Sequence, residues 1–242
     1  MVWQGREIGT LIQTTNAPRR AVFEWTVRRL YEKIFGGELL PGAKVRELDV
    51  TAELGVSRSP VREALRRLEE DGLLTSDQKN GWREVVEFKI KDLEEVYLIR
   101  AELEGLAIEA ATDQITNEVI EEARRLNEAM MPPWPGTLGT GRDFEEDFAF
   151  HRVLCRPSNM RRLLTLLERI WLQNQVMLIQ FDKAAVAASD EEIAQVRLEH
   201  DVVLSALYAR NAKAARTAMT THLWGGATRR AIRARLIDNK RP

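Results

Sequence analysis

GVSRSPVREALRRLEEDGLL, residues 55–74, reads as a helix set between two stops. Gly55 and Gly72 mark its ends. Ser59 suits the N-cap, with Pro60 at the first helical position, where a missing N–H leaves no bond unmade. Val61, Ala64, Leu65 and Leu68 then fall at i, i+3, i+4 and i+7, an inward stripe. Arg58 precedes the helix, and Arg62 and Arg66 project from another face one turn apart. A basic outer face near a helix N-terminus suits a reader of the DNA major groove. Arginine can fork onto guanine O6 and N7, or hold phosphate oxygens. Ser57 and Ser59 add short hydroxyls, and free N–H groups at the helix start favour phosphate. The competing reading is a solvated face whose arginines pair with Glu63, Glu69 and Glu70.

Working outward, the periodicity predicts a helix over 17–35, with Val22, Trp25, Thr26, Leu30 and Ile34 on one face. Gly36-Gly37 stops it, Pro41-Gly42 turns the chain, and a short helix over 46–54 ends at Gly55. Two strands fit 73–76 and 82–88, with Asn80-Gly81 as the turn. Three helices and a hairpin in this order make a winged helix-turn-helix. From Lys91 only helical periods follow, over 92–112, 117–131, 143–155, 159–182, 190–210 and 211–228. The segment 132–141 is the one long break. The expected fold is therefore mainly α, a winged helix followed by an antiparallel all-helical bundle. The expected organisation is a flexible segment 1–16, a DNA-binding head 17–88, a helical body 89–228 and a basic tail 229–242.

Charge supports this division. Residues 1–91 carry a net +2, residues 92–228 a net −8, and residues 229–242 a net +5. Such asymmetry points to a mildly basic head and an acidic body with different partners. With 44% hydrophobic and 30% charged residues, disorder is excluded as the dominant state. No run of apolar residues is long enough for a membrane helix, and the first 20 residues have no signal-peptide pattern. One cysteine, Cys155, allows no internal disulfide. These features lead us to expect a cytoplasmic protein with no membrane partner.

All three histidines, His151, His200 and His222, lie in the body, and Asp147 sits one helical turn before His151. Neutral imidazoles with a carboxylate suit a divalent transition metal, with zinc first and nickel, manganese and iron open. Spacing alone leaves the alternative that these are hydrogen-bonded interior histidines.

The stretch GELLPGAKVRELDVTAELGVSRSPVREALRRLEEDGLL (37–74), continued in NGWREV (80–85), resembles the DNA-binding domain of the GntR family of bacterial regulators. The resemblance implies a homodimer on a short palindromic operator, with one recognition helix in each major groove. It implies groove and phosphate contacts by Ser57, Arg58, Ser59 and Arg62, with Arg66 on the same face and Gly81 at a wing tip near the minor groove. Some members carry a DNA-touching arginine early in the second helix, where this chain has Leu48, with Arg46 out of register.

The body resembles the FCD ligand-binding domain of the FadR subgroup. DLEEVYLIRAELEGLAIEAA (92–111), DFAFH (147–151) with Asn159, and EHDVVLSALYARNAKAARTAMTTHL (199–223) carry the likeness. It implies that Asp147, His151, His200 and His222 hold a metal whose open positions face a small carboxylate effector. Arg100 is the candidate partner for that carboxylate, against a salt bridge to Glu102, Glu104 or another helix. Glu104 is read as structural and Cys155 as a small buried filler. The function so implied is a repressor, not an enzyme, in which the effector shifts a two-state dimer and so its hold on the operator. Two rivals remain at this level: a metalloenzyme using the three histidines and the aspartate, and a DNA-binding module whose body only dimerises.

Overall fold

Apolar residues at helical spacing build the head. The structure, a computed structural model, describes residues 18–77, 82–130, 145–184 and 190–238. The expected loose segment 1–16, the Asn80-Gly81 turn with Gly81, the 132–141 break and the last four residues lie outside the described residues. Chain contacts divide the molecule into Met1–Glu87 and Phe88–Pro242.

In the first unit α1 (Arg19–Phe35) leads to β1 (Lys44–Val45), α2 (Glu47–Leu54), α3 (Arg58–Glu70), β2 (Leu74–Asp77) and β3 (Trp82–Val85). Val61, Ala64, Leu65 and Leu68 of α3 are fully buried, and α1 packs on them with Leu30 and Ile34. Each of those larger side chains contributes about 1.5–3 kcal/mol by leaving water. Asp71, buried at the end of α3, accepts from Tyr31 Oη at 2.5 Å and from Arg67 Nε at 2.7 Å. Gly55 ends α2 with φ +65, which places it in the left-handed region and opens the turn into α3.

Three details differ from the sequence reading. The N-cap of α3 is Ser57 and Pro60 stands third in the helix rather than first. Proline is tolerated there because first-turn N–H groups have no intrahelical acceptor. The sheet has three strands in the order β1-β3-β2, because Lys44 and Val45 pair antiparallel with Glu84 and Arg83. The hairpin itself pairs Leu74 with Val85 and Asp77 with Trp82, so β3 ends at Val85 rather than Phe88.

The second unit is all helical among the described residues: α4 (Ile90–Ala111), α5 (Asn117–Ala129), α6 (Glu145–Cys155), a 3-10 turn (Arg156–Ser158), α7 (Arg161–Ala184), α8 (Asp190–Tyr208) and α9 (Ala212–Asp238). Helix α4 runs through the middle, against α6, α7 and α9. A Cβ at Gly105 would come within 2.9 Å of Thr220 Oγ1, so the bare backbone lets α4 and α9 approach closely. Helix α9 continues ten residues past the expected boundary at 228, through the basic stretch to Asp238. Arg229 explains part of this, since its guanidinium is bonded twice to Glu199, and Ala231 beyond it is buried. No described helix is long and apolar enough to cross a membrane.

Candidate metal centre and DNA-facing helix

Histidines occupy positions of the body where the apolar stripe would otherwise continue. On α6, Phe148, Leu154 and Cys155 flank His151 at i−3, i+3 and i+4, and all are buried. On α8, His200 heads the buried series Val203, Leu204 and Leu207. On α9, His222 follows Met219 at i+3, again buried. Amphipathic packing therefore turns all three rings inward. Phe150 stacks on His200 with ring centroids 3.8 Å apart.

The rings converge through the same atom. His200 Nε2 lies 3.2 Å from His222 Nε2, which lies 3.3 Å from His151 Nε2. Asp147 Oδ1 stands 3.6 Å from His200 Nε2 and 3.9 Å from His151 Nε2. One ligand atom from each of the four residues falls within a 4.8 Å group. Two ligands bonded at about 2.0–2.2 Å to a common ion stand roughly 3–3.5 Å apart at tetrahedral or octahedral angles, so the nitrogen spacing fits one.

The far side of each ring fixes its tautomer. Asn127 Nδ2 donates to Arg197 O (3.1 Å) and Asp201 Oδ1 (3.0 Å), which leaves Asn127 Oδ1 as the acceptor facing His200 Nδ1 at 3.0 Å. His200 therefore carries its proton on Nδ1 and presents a bare Nε2. His222 Nδ1 meets Glu199 Oε2 at 2.9 Å, and His151 Nδ1 faces Glu104 Oε2 at 2.6 Å. Both carboxylates select the same tautomer. Three bare nitrogen lone pairs then point at one spot beside a carboxylate oxygen, an arrangement a cation relieves and water-free packing does not.

Electrostatics keep the His200 and His222 rings in the ligating form. Burial pushes the His200 imidazolium well below its ordinary pKa, and the nearby His222, His151 and Arg100 add to the shift. His222 is also lowered, by burial first, although Glu199 opposes this. Glu199 falls to about 2: its burial acts the other way, but His222 and Arg229 outweigh it. Glu104, fully buried, is held below the carboxylate range because Arg100 and His151 together overcome its desolvation.

Arg100 lies beside this centre, fully buried on α4. Its Nε donates to Glu104 Oε1 at 2.7 Å, the salt bridge weighed as the alternative, while Nη2 has no hydrogen-bond partner among the described residues. Glu104 also accepts from Trp171 Nε1 at 2.9 Å. It stands directly behind a histidine of the cluster. Cys155 is buried outside the four-residue set, its thiol pushed up by burial. Sequence reasoning missed Asn127 and Glu199, because neither stands at helical spacing from the ring it orients.

On the head, Ser57, Arg58, Ser59, Arg62 and Arg66 are all exposed, Arg62 and Arg66 on the side of α3 away from its buried stripe. Ser57 makes no side-chain cap bond, so its hydroxyl does not occupy the N–H groups at the helix start. The arginine pairing matches the expected set at Arg66 with Glu70 and differs at Arg62 and Glu63. Arg62 forks onto Glu47 of α2 with two 3.0 Å bonds, Arg66 is 3.5 Å from Glu70, and Glu63 pairs with Arg19. Arg19 also donates to Ser59 Oγ at 3.0 Å. Leu48 is exposed, and Arg46 lies over the Trp82 ring.

Comparison with known proteins agrees with both halves. Residues 24–83 match the family described as bacterial regulatory proteins, gntR family, and residues 95–224 match the FCD domain. The chain is 37% identical over 194 residues to a protein of Paenarthrobacter nicotinovorans described as a probable D-xylose utilization operon transcriptional repressor, covering 79% of this chain and 80% of that one. It is 32% identical over 198 residues to the HTH-type transcriptional regulator YdhC of Bacillus subtilis, covering 80% and 84%. The solved structure of E. coli McbR/YncC shares the fold with a TM-score of 0.71 at 23% identity, over 86% of this chain and 96% of that one.

Proposed function

The chain belongs to the gntR family of transcriptional regulators and carries an FCD domain, and from this premise we propose that it is a metal-dependent, carboxylate-responsive repressor. It acts as a homodimer on a palindromic operator. Arg58, Arg62 and Arg66 read or clamp the major groove, Ser57, Ser59 and the first N–H groups of α3 hold phosphate, and Gly81 lies at the wing tip. Asp147, His151, His200 and His222 hold a divalent transition metal. A bound ion of this kind supplies Lewis-acid positions to oxygen ligands. Arg100, through its unpartnered Nη2, takes a carboxylate oxygen of the effector.

The observation that carries this reading is the convergence of three imidazole Nε2 atoms and a carboxylate, each ring tied back through Nδ1. A relative named as a repressor supports the sign of the regulation. The effector acts by binding the two states of the dimer with different affinity.

A thermal-shift screen of small carboxylates tests it, run on protein with its native metal, after chelation, and on His200→Ala. The expected result is a carboxylate that stabilises only the metal-loaded wild type and that changes operator affinity in a DNA titration. Stabilisation that survives both chelation and mutation would move the effector away from the metal. An operator affinity indifferent to every carboxylate that binds would refute the coupling.

A further inference from the structure

Asn174, on α7, is fully buried, and neither its Oδ1 nor its Nδ2 has a hydrogen-bond partner among the described residues. Buried amides with both ends unmet are rare in native interiors, because the lost hydration is not recovered. Most of the surrounding helix is ordinary core: Val176, Met177 and Leu178 are buried with it. A leucine would suit such a position better, unless the amide has a task.

The register of α7 against α4 says where the amide sits. Trp171 Nε1 donates to Glu104 Oε1 at 2.9 Å, and Phe88 N, just before α4, donates to Gln180 Oε1 at 2.9 Å. The two helices pack together and run antiparallel. Asn174 is three residues beyond Trp171 on α7, and Arg100 is four residues before Glu104 on α4, so the two fall on one level, each on the face of its helix that makes the Trp171–Glu104 contact. Arg100 Nη2 is another buried polar atom without a hydrogen-bond partner among the described residues, and Asp147 of the histidine cluster is within electrostatic reach of the same guanidinium. Arg100 Nη2 and the Asn174 amide, on facing turns, are not bonded to each other and leave hydrogen-bonding atoms that a third group could meet.

We propose that Asn174 is a specificity-determining residue for the effector, selecting a carboxylate that also bears a hydroxyl group. This rests on the reading of Arg100 and the metal centre as the carboxylate site. Arg100 Nη2 and Asn174 Nδ2 are donors and need acceptor oxygens. Asn174 Oδ1 is an acceptor and needs a hydrogen. A plain carboxylate at neutral pH offers oxygens only. A hydroxycarboxylate offers both, its hydroxyl donating to Asn174 Oδ1. An ammonium group would also donate, but it would meet like charge from Arg100 and from a bound cation.

Matched acids test this on the metal-loaded full chain by calorimetry: glycolate against acetate, each enantiomer of lactate against propionate, and malate against succinate. The hydroxylated member of at least one pair should bind about tenfold tighter or more, because a site built to pair a hydroxyl rejects the analogue without it. Asn174→Leu should keep its metal content and its affinity for the plain acid while that preference collapses to near unity. If no carboxylate of either kind binds the loaded wild type, the effector reading itself fails. If both members of every pair bind alike, or the preference persists in Asn174→Leu, the assignment of Asn174 falls while the carboxylate site stands. A variant that folds but loses its metal would make Asn174 a support of the metal centre and overturn the proposal. The wild-type comparison decides by itself if the variant does not fold.

Discussion

Replacing Asn127 by alanine should weaken metal binding although Asn127 is not a ligand. The side chain is buried and makes three hydrogen bonds, to Arg197 O, Asp201 Oδ1 and His200 Nδ1, at 3.0–3.1 Å. The first two fix which end of the amide faces the ring, and the third keeps the His200 proton on Nδ1. Alanine removes the acceptor, and His200 is then free to rotate or to carry its proton on Nε2. Loss of such an outer partner lowers metal affinity about 10–100-fold, which is about 1.4–2.8 kcal/mol. Apo-protein stability falls separately, by about 1–3 kcal/mol, because the ring N–H is left unmet in the core. The two effects separate experimentally. Competition against a chromophoric chelator reads the affinity, and thermal denaturation of apo and loaded protein reads the stability. The interval between the two melting temperatures should narrow by the affinity lost. Asp201→Ala, which removes one of two acceptors on the amide, should do less on both measures. Wild-type affinity in folded Asn127→Ala would refute the tautomer argument, because the ring would then need no acceptor behind it.

Other consequences are more direct. Arg58→Ala and Arg62→Ala should each lower operator affinity about 5–150-fold in a fluorescence titration, with an unchanged melting temperature, since the Arg62–Glu47 pair is exposed on the arginine side; affinity equal to wild type would remove α3 from the groove. Leu68→Ala, at a fully buried position facing α1, should destabilise the head by about 2–5 kcal/mol in urea unfolding. Glu199, with its pKa lowered to about 2 from the ordinary 4.5, binds its proton more readily in the unfolded chain. Its contribution to stability is therefore present above about pH 4.5 and fades as the pH falls toward 2. Glu199→Gln should flatten that part of the acid limb of the apo-protein; an identical pH dependence in both proteins would count against the His222–Glu199–Arg229 chain.

The head was legible where one helix decides its own geometry. The α3 stripe, the Gly55 turn and the hairpin follow from local spacing and from residues that tolerate a turn. The start of α3 lies two residues before the position that spacing predicts, because Ser57 and Ser59 are both acceptable caps and proline anywhere in the first turn loses no bond. The strand β1 was not visible at all. Two residues, Lys44 and Val45, carry no alternation, and they are a strand only because β3 lies beside them. The same dependence on a distant partner hid the end of α9. Six cations within 229–242 read as a solvated tail, while Arg229 is held on Glu199, thirty residues earlier.

In the histidine cluster Asp147, His151, His200 and His222 were legible as a group and the residues behind them were not, for a physical reason. A histidine where a helix stripe calls for leucine is anomalous in its own helix, so it can be noticed one helix at a time. Asn127, Glu104 and Glu199 act on rings of other helices, and only the packing brings them there. Their charges carry an argument that the inner set alone does not. Glu104 is paired with Arg100, and Glu199 with Arg229. Asn127 is neutral. The outer layer thus fixes three tautomers with each of its carboxylates matched by an arginine, and adds little net charge. One carboxylate and three imidazoles as ligands would leave a divalent ion held there a net charge of about +1. Such a centre, inside a buried helical core, favours an anion over a neutral ligand in its open positions. On the proposed function, the side-chain layer that the sequence conceals is what favours a carboxylate over an uncharged sugar or amide as effector.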